Sequence, residues 1–178
     1  MIILAPETTP TADAYQLGAE SGLISLTSVD EFAQFALNMA TQAHRTIDIF
    51  SHDLDHLLYD QSDFVVAIKE LSLRSRFSQI RILLQNNRTI RRKGHRLVHL
   101  AQRLTSSIEI RRPGEPLIKA LENFLLADEY GYIHRKMASY YEGRCDFNDR
   151  LRVAQLAERF NEAWESGEPD RELLRLYL

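Results

Sequence analysis

Apolar and polar residues follow two alternating patterns along the chain, one typical of helices and one of short strands. Ser28 and Glu31 form a capping box, after which apolar residues recur at helical spacing up to His44. Residues 46–51 then alternate apolar and polar side chains and predict a strand. Further helices are predicted over 61–76 and 95–104, and further strands over 79–85 and 106–112. This alternation indicates βαβ units and a mainly parallel sheet covered by helices.

The pattern changes in the last third of the chain. Residues 124–127 and 132–134 flank a polar turn and predict the two arms of a β-hairpin. A long amphipathic helix is predicted from about Asn148, and Gly167 and Pro169 end it. Its predicted buried face comprises Leu151, Ala154, Leu156, Ala157, Phe160 and Trp164.

Length and composition set the domain organisation. The chain has 178 residues, of which 44% are apolar and 26% are charged, and this suits one domain with an ordinary core. Residues 1–20 are rich in Thr, Pro and Ala without a sustained period. We therefore predict a flexible arm over 1–20 and one α/β domain over 21–178, with a mainly parallel or mixed sheet flanked by helices.

The cellular compartment is predicted from cysteine use and from the apolar segments. Cys145 is the only cysteine, so it cannot form an intramolecular disulfide. No segment approaches the roughly 20 apolar residues of a membrane-spanning helix, and the chain begins without a basic leader. We expect a reduced, cytoplasmic compartment.

Charge is unevenly distributed along the chain. Residues 74–112 carry 11 Lys and Arg against one acid, Glu109, whereas the remainder carries 11 bases and 24 acids. A segregated basic segment is typical of a protein that meets a phosphate-bearing partner, or an acidic surface on a second copy of itself. The alternative is that these arginines solvate outer helix faces while the acids lie beside them in space.

The basic loop 86–96 concentrates this charge before a predicted helix. The planar guanidinium group of arginine can form two parallel hydrogen bonds with a phosphate. The free backbone N–H groups at the start of a helix also attract anions. If the sheet is parallel, this loop and the end of strand 106–112 lie on one rim, where open α/β sheets bind ligands. The candidates for nucleic-acid binding are Arg88, Arg91, Arg92, Lys93 and Arg112.

Two histidine pairs have a spacing that zinc ligands can use. His52 and His56 are four residues apart, as are His95 and His99. No cysteine pair, third ligand or phosphate-binding glycine motif accompanies them. We expect no metal and no cofactor, and interpret these histidines as solvated loop and helix residues.

The order of elements over residues 46–166 is more specific than any single motif. A strand ending in a polar loop is followed by a helix, an RILL strand, a helix ending in RL, an IEI strand, an FLLAD strand with its return strand, and a helix ending in F-x-x-x-W. This order resembles one half of a domain of the phospholipase D superfamily. In that family, two copies of H-x-K-x4-D meet across a pseudo-twofold or dimer axis. One His attacks phosphorus, the other protonates the leaving oxygen, and the Lys residues neutralise developing charge.

The catalytic residues of that motif are not all present in this chain. If Asp128 matches the family Asp, the His position falls on Leu121 and the Lys position on Asn123. The resemblance then implies a non-catalytic half domain that binds phosphate on nucleic acid or on a lipid headgroup, with Asp128 holding a cation in place at the pocket floor. The implied anion ligands are His95, Arg96, Arg111, Asp128 and Arg135.

Two alternatives stay open at this point. The residues His134, Arg135 and Lys136 match the H-x-K pattern directly. With this match the resemblance implies a dimeric, metal-independent phosphodiesterase that uses His134 and Lys136. In that frame the Asp position falls on Tyr141 and few residues remain for the return strand. The other alternative is a purely structural homodimerisation domain. Related bacterial domains also accompany acetyltransferase modules, so the resemblance suggests an acetyltransferase-containing partner, although this chain carries no acetyl-CoA-binding signal.

Overall fold

The computed structural model describes residues 11–174, which form a mixed eight-stranded sheet with helices on both faces. The strands are β1 Ile24–Leu26, β2 Thr46–Ser51, β3 Gln79–Leu84, β4 Ile108–Arg112, β5 Asn123–Ala127, β6 Gly131–Arg135, β7 Gly143–Asp146 and β8 Glu168–Pro169. Their order across the sheet is β1-β7-β6-β5-β2-β3-β4-β8.

A short 3-10 helix, Ala12–Ala14, precedes the helices of the same region. These helices are α1 Val29–Gln42, α2 His56–Tyr59, α3 Ser62–Arg74, α4 Arg88–Lys93, α5 Arg96–Arg103, α6 Arg150–Glu165 and α7 Arg171–Leu174. The capping box that the sequence predicts at α1 is present, because the Ser28 hydroxyl accepts from the Glu31 N–H and the Glu31 carboxylate accepts from the Ser28 N–H. No helix in the part of the chain that the structure describes is long and apolar enough to cross a membrane.

Parallel pairing at the centre of the sheet brings several loops to one edge. Strands β2, β3 and β4 are parallel, while β5, β6 and β7 are antiparallel to their neighbours. The carboxyl ends of β2, β3 and β4 therefore lie at the same edge as the start of β5. We call this the carboxyl edge. The architecture confirms the predicted α/β fold with a mixed sheet flanked by helices.

Two apolar layers hold the helices to the sheet. On one face, α1 packs against β5 and β6, α3 against β3 and α5 against β4, with Phe35, Ile49 and Ile82 fully buried. On the other face α6 packs against the sheet, where the ring of Phe160 contacts that of Phe124 and stacks on Trp164. Burying a large apolar side chain contributes about 1.5–3 kcal/mol, so both layers stabilise the loops that they anchor.

The buried face of α6 differs in part from the sequence prediction. Phe160, Trp164 and Leu156 are buried as predicted, but Leu151 is 72% exposed and Ala154 is exposed as well. Two residues that were not predicted are buried instead, namely Val153 and Ala163. The large aromatic side chains near the end of α6 determine which stripe faces the sheet, and Leu151 lies outside that stripe.

Residues 11–20 pack against the domain, although the sequence places them in a flexible arm. The ring of Tyr15 stacks on Phe147 with centroids 5.4 Å apart, and the Gly18 N–H donates to the Phe147 carbonyl at 2.8 Å. The Leu17 N–H donates to the Gln42 side chain. The rest of the predicted arm, residues 1–10, lies outside the described residues.

Candidate anion-binding cleft

A cleft of about 710 Å³ opens at the carboxyl edge of the sheet. It lies between the residues that follow β2 and β3 and the loop that leads into β5. Its lining includes four cationic side chains, Arg88, Arg91, Arg112 and Lys119. Open α/β sheets usually bind ligands at such an edge, where strand ends leave backbone groups and loops accessible. The cleft thus joins a concave shape to a local excess of positive charge.

Local sequence explains why two of these arginines share one side. The Asn86 side chain accepts from the Arg88 N–H at 3.0 Å and starts α4 directly after β3. Arg88 and Arg91 are three residues apart, so they lie on the same side of the helix. Gly94 ends α4 with a φ of 75°, a conformation that glycine adopts without steric cost.

A carboxylate of the same chain contacts the basic side of the cleft. The Glu172 carboxylate is 2.6 Å from Arg112 Nη2 and 3.4 Å from Arg91 Nη1, and it accepts from Asn87 Nδ2 at 2.8 Å. The Asn87 hydrogen bond, followed by the charges of the two arginines, lowers the pKa of Glu172. This geometry shows that Arg91, Arg112 and Asn87 can converge on one anionic group.

The other two cations of the cleft have no such partner. Neither Arg88 nor Lys119 forms an ion pair with any residue between 11 and 174. The two side chains therefore leave a net positive charge in the cleft beyond what Glu172 compensates. Such a charge attracts anions, and the attraction is screened by salt.

Hydrogen bonds at the base of the cleft fix its shape. Leu121 lines the cleft and is 65% exposed, whereas Asn123 is buried and accepts from the His52 N–H at 2.9 Å. The Gln85 side chain donates to the carbonyls of Leu117 and Ala120, both at 2.9 Å. These contacts join the ends of β2 and β3 to the loop before β5.

The five anion ligands implied by the resemblance do not come together in the structure. His95 is buried and begins α5, where its Nδ1 accepts from the Leu97 N–H and its Nε2–H donates to the Leu54 carbonyl. Burial lowers the pKa of His95 to about 4, so its ring is neutral near pH 7. Arg96 is exposed beside it, on a different surface from the cleft.

Asp128 lies at the opposite edge of the sheet from the cleft, so it does not form the floor predicted for it. Its carboxylate accepts from the backbone N–H groups of His44, Arg45 and Thr46 at 2.8–2.9 Å. Its φ is 51°, which places it in the left-handed region of a tight turn. Asp128 thus fixes the turn after β5 to the start of β2.

Arg135 and Arg111 are also occupied by other partners. Arg135 is buried, lies 3.2 Å from the Asp55 carboxylate and is centred 4.4 Å from the ring of Tyr141. The Tyr141 hydroxyl donates to the same carboxylate at 2.7 Å. Arg111 pairs with Glu109 and covers the ring of Trp164. Both arginines hold elements of the fold together.

His134 and Lys136, which match the H-x-K pattern directly, also lie away from the cleft. His134 is buried on the second strand of the hairpin, and its Nε2 is 2.6 Å from the Glu122 carboxylate. Burial opposes ionisation of Glu122, but the hydrogen bond from His134 and the charge of Arg159 outweigh it and lower the pKa of Glu122. Lys136 is exposed beyond the end of β6. Neither His134 nor Lys136 is among the lining residues of the cleft within the described chain.

The histidine pairs of zinc-like spacing make other contacts. His52 approaches Gln85 through Nδ1, and His56 approaches the Gly94 carbonyl through Nε2, both at 3.1 Å. The rings of His56 and His95 are 4.8 Å apart. Between residues 11 and 174, no group of three or more His, Cys, Asp or Glu side chains is placed to hold a metal ion.

The nucleic-acid candidates divide between two surfaces. Arg88, Arg91 and Arg112 line the cleft, whereas Lys93 lines a separate recess beside α5. Arg92 is exposed and belongs to neither lining. Lys119 was missed, because a single lysine in a loop before β5 gives no sequence signal of what it faces.

The fold defined above is similar to that of several solved proteins, one of which is a phospholipase D family member. Nuc of Salmonella typhimurium, a member of that family, has a TM-score of 0.59 at 12% identity, over 84% of this chain and 98% of its own. NucT of Helicobacter pylori has a TM-score of 0.57 at 12% identity, with the same coverage. These identities are low, so the similarity concerns the fold.

A third similar structure is TrmBL2, an archaeal chromatin protein, with a TM-score of 0.62 at 21% identity over 86% of this chain. The chain spans only 55% of the length of TrmBL2. By sequence, residues 28–176 match the family described as a domain of unknown function, DUF7931, and the chain belongs to that family. A comparison with curated proteins finds no match.

Proposed function

We propose that this domain is a non-catalytic phospholipase D-like module that binds nucleic-acid phosphates in the carboxyl-edge cleft. The observation that carries the proposal is the set of four cations lining one cleft, two of which have no ion pair among residues 11–174. Arginine and lysine form charge-assisted hydrogen bonds with phosphate that are stronger than neutral ones.

The absence of catalysis in this proposal rests on the residues at the start of β5. When Asp128 is matched to the Asp of the family motif, Leu121 and Asn123 take the positions of its His and Lys. A leucine side chain cannot attack phosphorus, and an asparagine carries no charge to stabilise the transition state. Asn123 is moreover held in place by the His52 N–H. The half domain therefore keeps a phosphate-binding edge without a nucleophile.

Nucleic acid is the ligand class that the comparisons favour over a lipid headgroup. TrmBL2 is a chromatin protein for which a mode of DNA binding is described. Nucleic acid also supplies several phosphates in a row, and these suit a cleft whose cations extend from α4 to the loop before β5. A purely headgroup-binding module would instead sediment with anionic vesicles and ignore oligonucleotides.

The proposal is tested by charge reversal at the two cations without ion pairs. The double variant Arg88→Glu/Lys119→Glu should bind a fluorescent oligonucleotide at least about tenfold more weakly in anisotropy titrations, since each charged hydrogen bond is worth about 1.5–3 kcal/mol. Wild-type affinity should fall steeply with salt.

The matched control is Arg45→Glu/Arg144→Glu, which changes the net charge equally at exposed positions away from the cleft. This control should retain most of the affinity. Equal losses in the two double variants, or salt-independent binding by the wild type, would rule out the cleft as the site.

Removal of the Glu172 carboxylate provides a second test, in which the affinity for the oligonucleotide is expected to rise. Glu172→Gln leaves a neutral side chain beside Arg91 and Arg112. Arg91 then has no ion-pair partner within residues 11–174 and becomes available to phosphate, while Arg112 keeps only its contact with Asp170 at 3.6 Å. The affinity for the same oligonucleotide should rise by about threefold or more, in line with the typical value of exposed ion pairs. A weaker affinity in Glu172→Gln would show that Glu172 organises the site and does not compete for it.

Self-association is a second candidate function, favoured by exposed apolar side chains beside the cleft. Ile118 and Leu121 are exposed in the loop before β5, and Met137 and Tyr140 are exposed in the loop after β6. The two loops are adjacent, since the Ala138 N–H donates to the Leu121 carbonyl at 2.7 Å. A homodimer through this rim should dissociate in Leu121→Ser/Tyr140→Ser, as measured by sedimentation velocity. An unchanged sedimentation coefficient across a concentration series would remove this candidate.

A further inference from the structure

A second basic recess of about 510 Å³ lies on the helical face of the domain, between α3 and α5. Its cationic lining consists of Lys69, Lys93, Arg96 and Arg103. Its apolar lining includes Val65, Val66 and Leu100. The recess thus combines an apolar wall with converging positive charge, which is the usual composition of a site for a small charged organic molecule.

The helix start beside this recess is already satisfied, so its N–H groups do not account for the site. The Arg96 N–H donates to Asp60 Oδ1 at 2.7 Å, and the Leu97 N–H donates to His95 Nδ1 at 3.2 Å. Asp60 is the single acid among the described lining residues, and its carboxylate is engaged in this way. Any attraction of the recess for an anion therefore comes from its cationic side chains.

Three of the four cations have no charged partner within the described chain. No ion pair or side-chain hydrogen bond of Lys69, Lys93 or Arg103 is formed between residues 11 and 174, and all three side chains are exposed. Arg96 donates to the Asp60 carbonyl but also keeps a fork of further N–H groups. Like charges around one recess repel one another, and a bound anion would relieve this repulsion.

We propose that the α3–α5 recess is a second anion site, which binds a phosphate monoester whose organic part covers Val65, Val66 and Leu100. A volume of about 510 Å³ lies within the range of about 300–1,000 Å³ that ligand pockets of this kind occupy. The cations bind the phosphate, and the apolar wall distinguishes an organic phosphate from inorganic phosphate. The same chemistry is supplied by a free nucleotide or by the 5′-phosphate end of a nucleic-acid strand.

The recess is separate from the carboxyl-edge cleft, and the inference does not depend on the function proposed for that cleft. Helix α4 lies between the two sites, since Arg88 and Arg91 line the cleft whereas Lys93 and Gly94 line the recess. Failure of one site therefore leaves the other intact. A strand bound in the cleft could also reach the recess only by crossing α4.

The test uses the full chain with adenosine 5′-monophosphate, adenosine, inorganic phosphate, and one oligonucleotide with and without a 5′-phosphate. In methyl NMR spectra, the resonances of Val65, Val66 and Leu100 should shift with adenosine 5′-monophosphate or with the phosphorylated oligonucleotide, and with neither adenosine nor the unphosphorylated strand. Shifts with the nucleotide identify a free ester as sufficient. Shifts with the phosphorylated strand alone identify the strand end. Unmoved methyl resonances at saturating concentrations of both would overturn the proposal.

Charge reversal separates this site from the cleft. Lys69→Glu/Arg103→Glu should weaken the methyl-shift titration by at least about tenfold, as expected for the loss of two charged contacts. Arg88→Glu/Lys119→Glu, which alters the cleft, should leave the same titration within about twofold of the wild type. Equal weakening by both double variants, each verified as folded by circular dichroism, would contradict a separate site.

Discussion

The titratable side chains of this domain form two groups that look alike in sequence and differ in the structure. In the first group, Asp128, Arg135 and His95 each have their polar atoms satisfied by partners in the fold. In the second, Arg88 and Lys119 line an open cleft and form no ion pair within residues 11–174. The difference shows that burial and partners separate structural charges from charges available to a ligand.

This contrast has an energetic reason. A buried charge is stable only with hydrogen-bonding partners, so the fold surrounds it with them and leaves no coordination for a ligand. An exposed arginine keeps its hydration and costs little without a partner, and it can exchange water for phosphate. The candidate ligands drawn from the family resemblance fall mostly in the first group, and the basic residues around α4 fall mostly in the second.

The largest expected effect on stability concerns Arg135. Its absence would contradict the distinction between the two groups. Arg135→Ala leaves the Asp55 carboxylate without its cation in a largely buried position, so the free energy of unfolding should fall by about 3–5 kcal/mol. Urea unfolding measures this loss. Arg88→Ala is the matched control and should change stability by less than about 0.5 kcal/mol. Similar effects in the two variants would mean that burial does not separate the groups.

A smaller effect is expected from His95, and it depends on pH. Burial lowers the pKa of His95 from 6.5 to about 4 in the folded chain. The unfolded chain therefore binds a proton in the interval between these values while the folded chain does not. Stability should decrease as pH falls from about 6.5 towards 4, on the order of 3 kcal/mol in total.

Urea unfolding across this pH interval checks the His95 prediction. His95→Asn should show a flatter profile, because asparagine also caps helices but does not titrate there. A profile identical to that of the wild type would mean that other groups cause the pH dependence. Binding of an oligonucleotide without a 5′-phosphate by folded His95→Asn should stay unchanged, since His95 does not line the cleft.

The smallest of the three effects is expected at Asp128. Asp128→Ala removes the acceptor of three backbone N–H groups and places alanine at a positive φ, which should lower the free energy of unfolding by about 2 kcal/mol. Asp128→Asn retains part of the hydrogen bonding and should lose about half as much. If Asp128→Ala instead abolished oligonucleotide binding with stability intact, Asp128 would belong to the binding site after all.

The sequence predicts the regular parts of this fold well because their signals are local. The capping box at Ser28, the alternating strand 46–51 and the hairpin around Asp128 each depend on residues close together in the chain. Strands β1, β7 and β8 were missed, since they span only two to four residues and are defined by pairing with distant strands. Helices α2 and α4 were also missed, and they are short as well.

The candidate site was predicted less completely, and the reason is again distance along the chain. Arg135 resembles a phosphate ligand until Asp55, 80 residues earlier, is seen to pair with it. Conversely, Arg88 and Arg91, which the sequence names as nucleic-acid candidates in a basic loop, both line the cleft, because they lie on one side of the short helix α4 after β3. Glu172 carries no sequence motif, and its role depends on β8 and α7 returning beside β4.

In the proposed anion-binding cleft, the position of Glu172 has a consequence for which anions can bind. A carboxylate attached to the same chain acts at a high effective concentration, on the order of millimolar for short connections, so it occupies Arg91 and Arg112 ahead of dilute monovalent anions. Chloride or acetate would have to exceed that concentration to displace it. A polyanion also meets Arg88 and Lys119 at the same time and gains the extra attraction that displacement requires. If the cleft binds anions as proposed, Glu172 on α7 would therefore favour polyanions over monovalent anions.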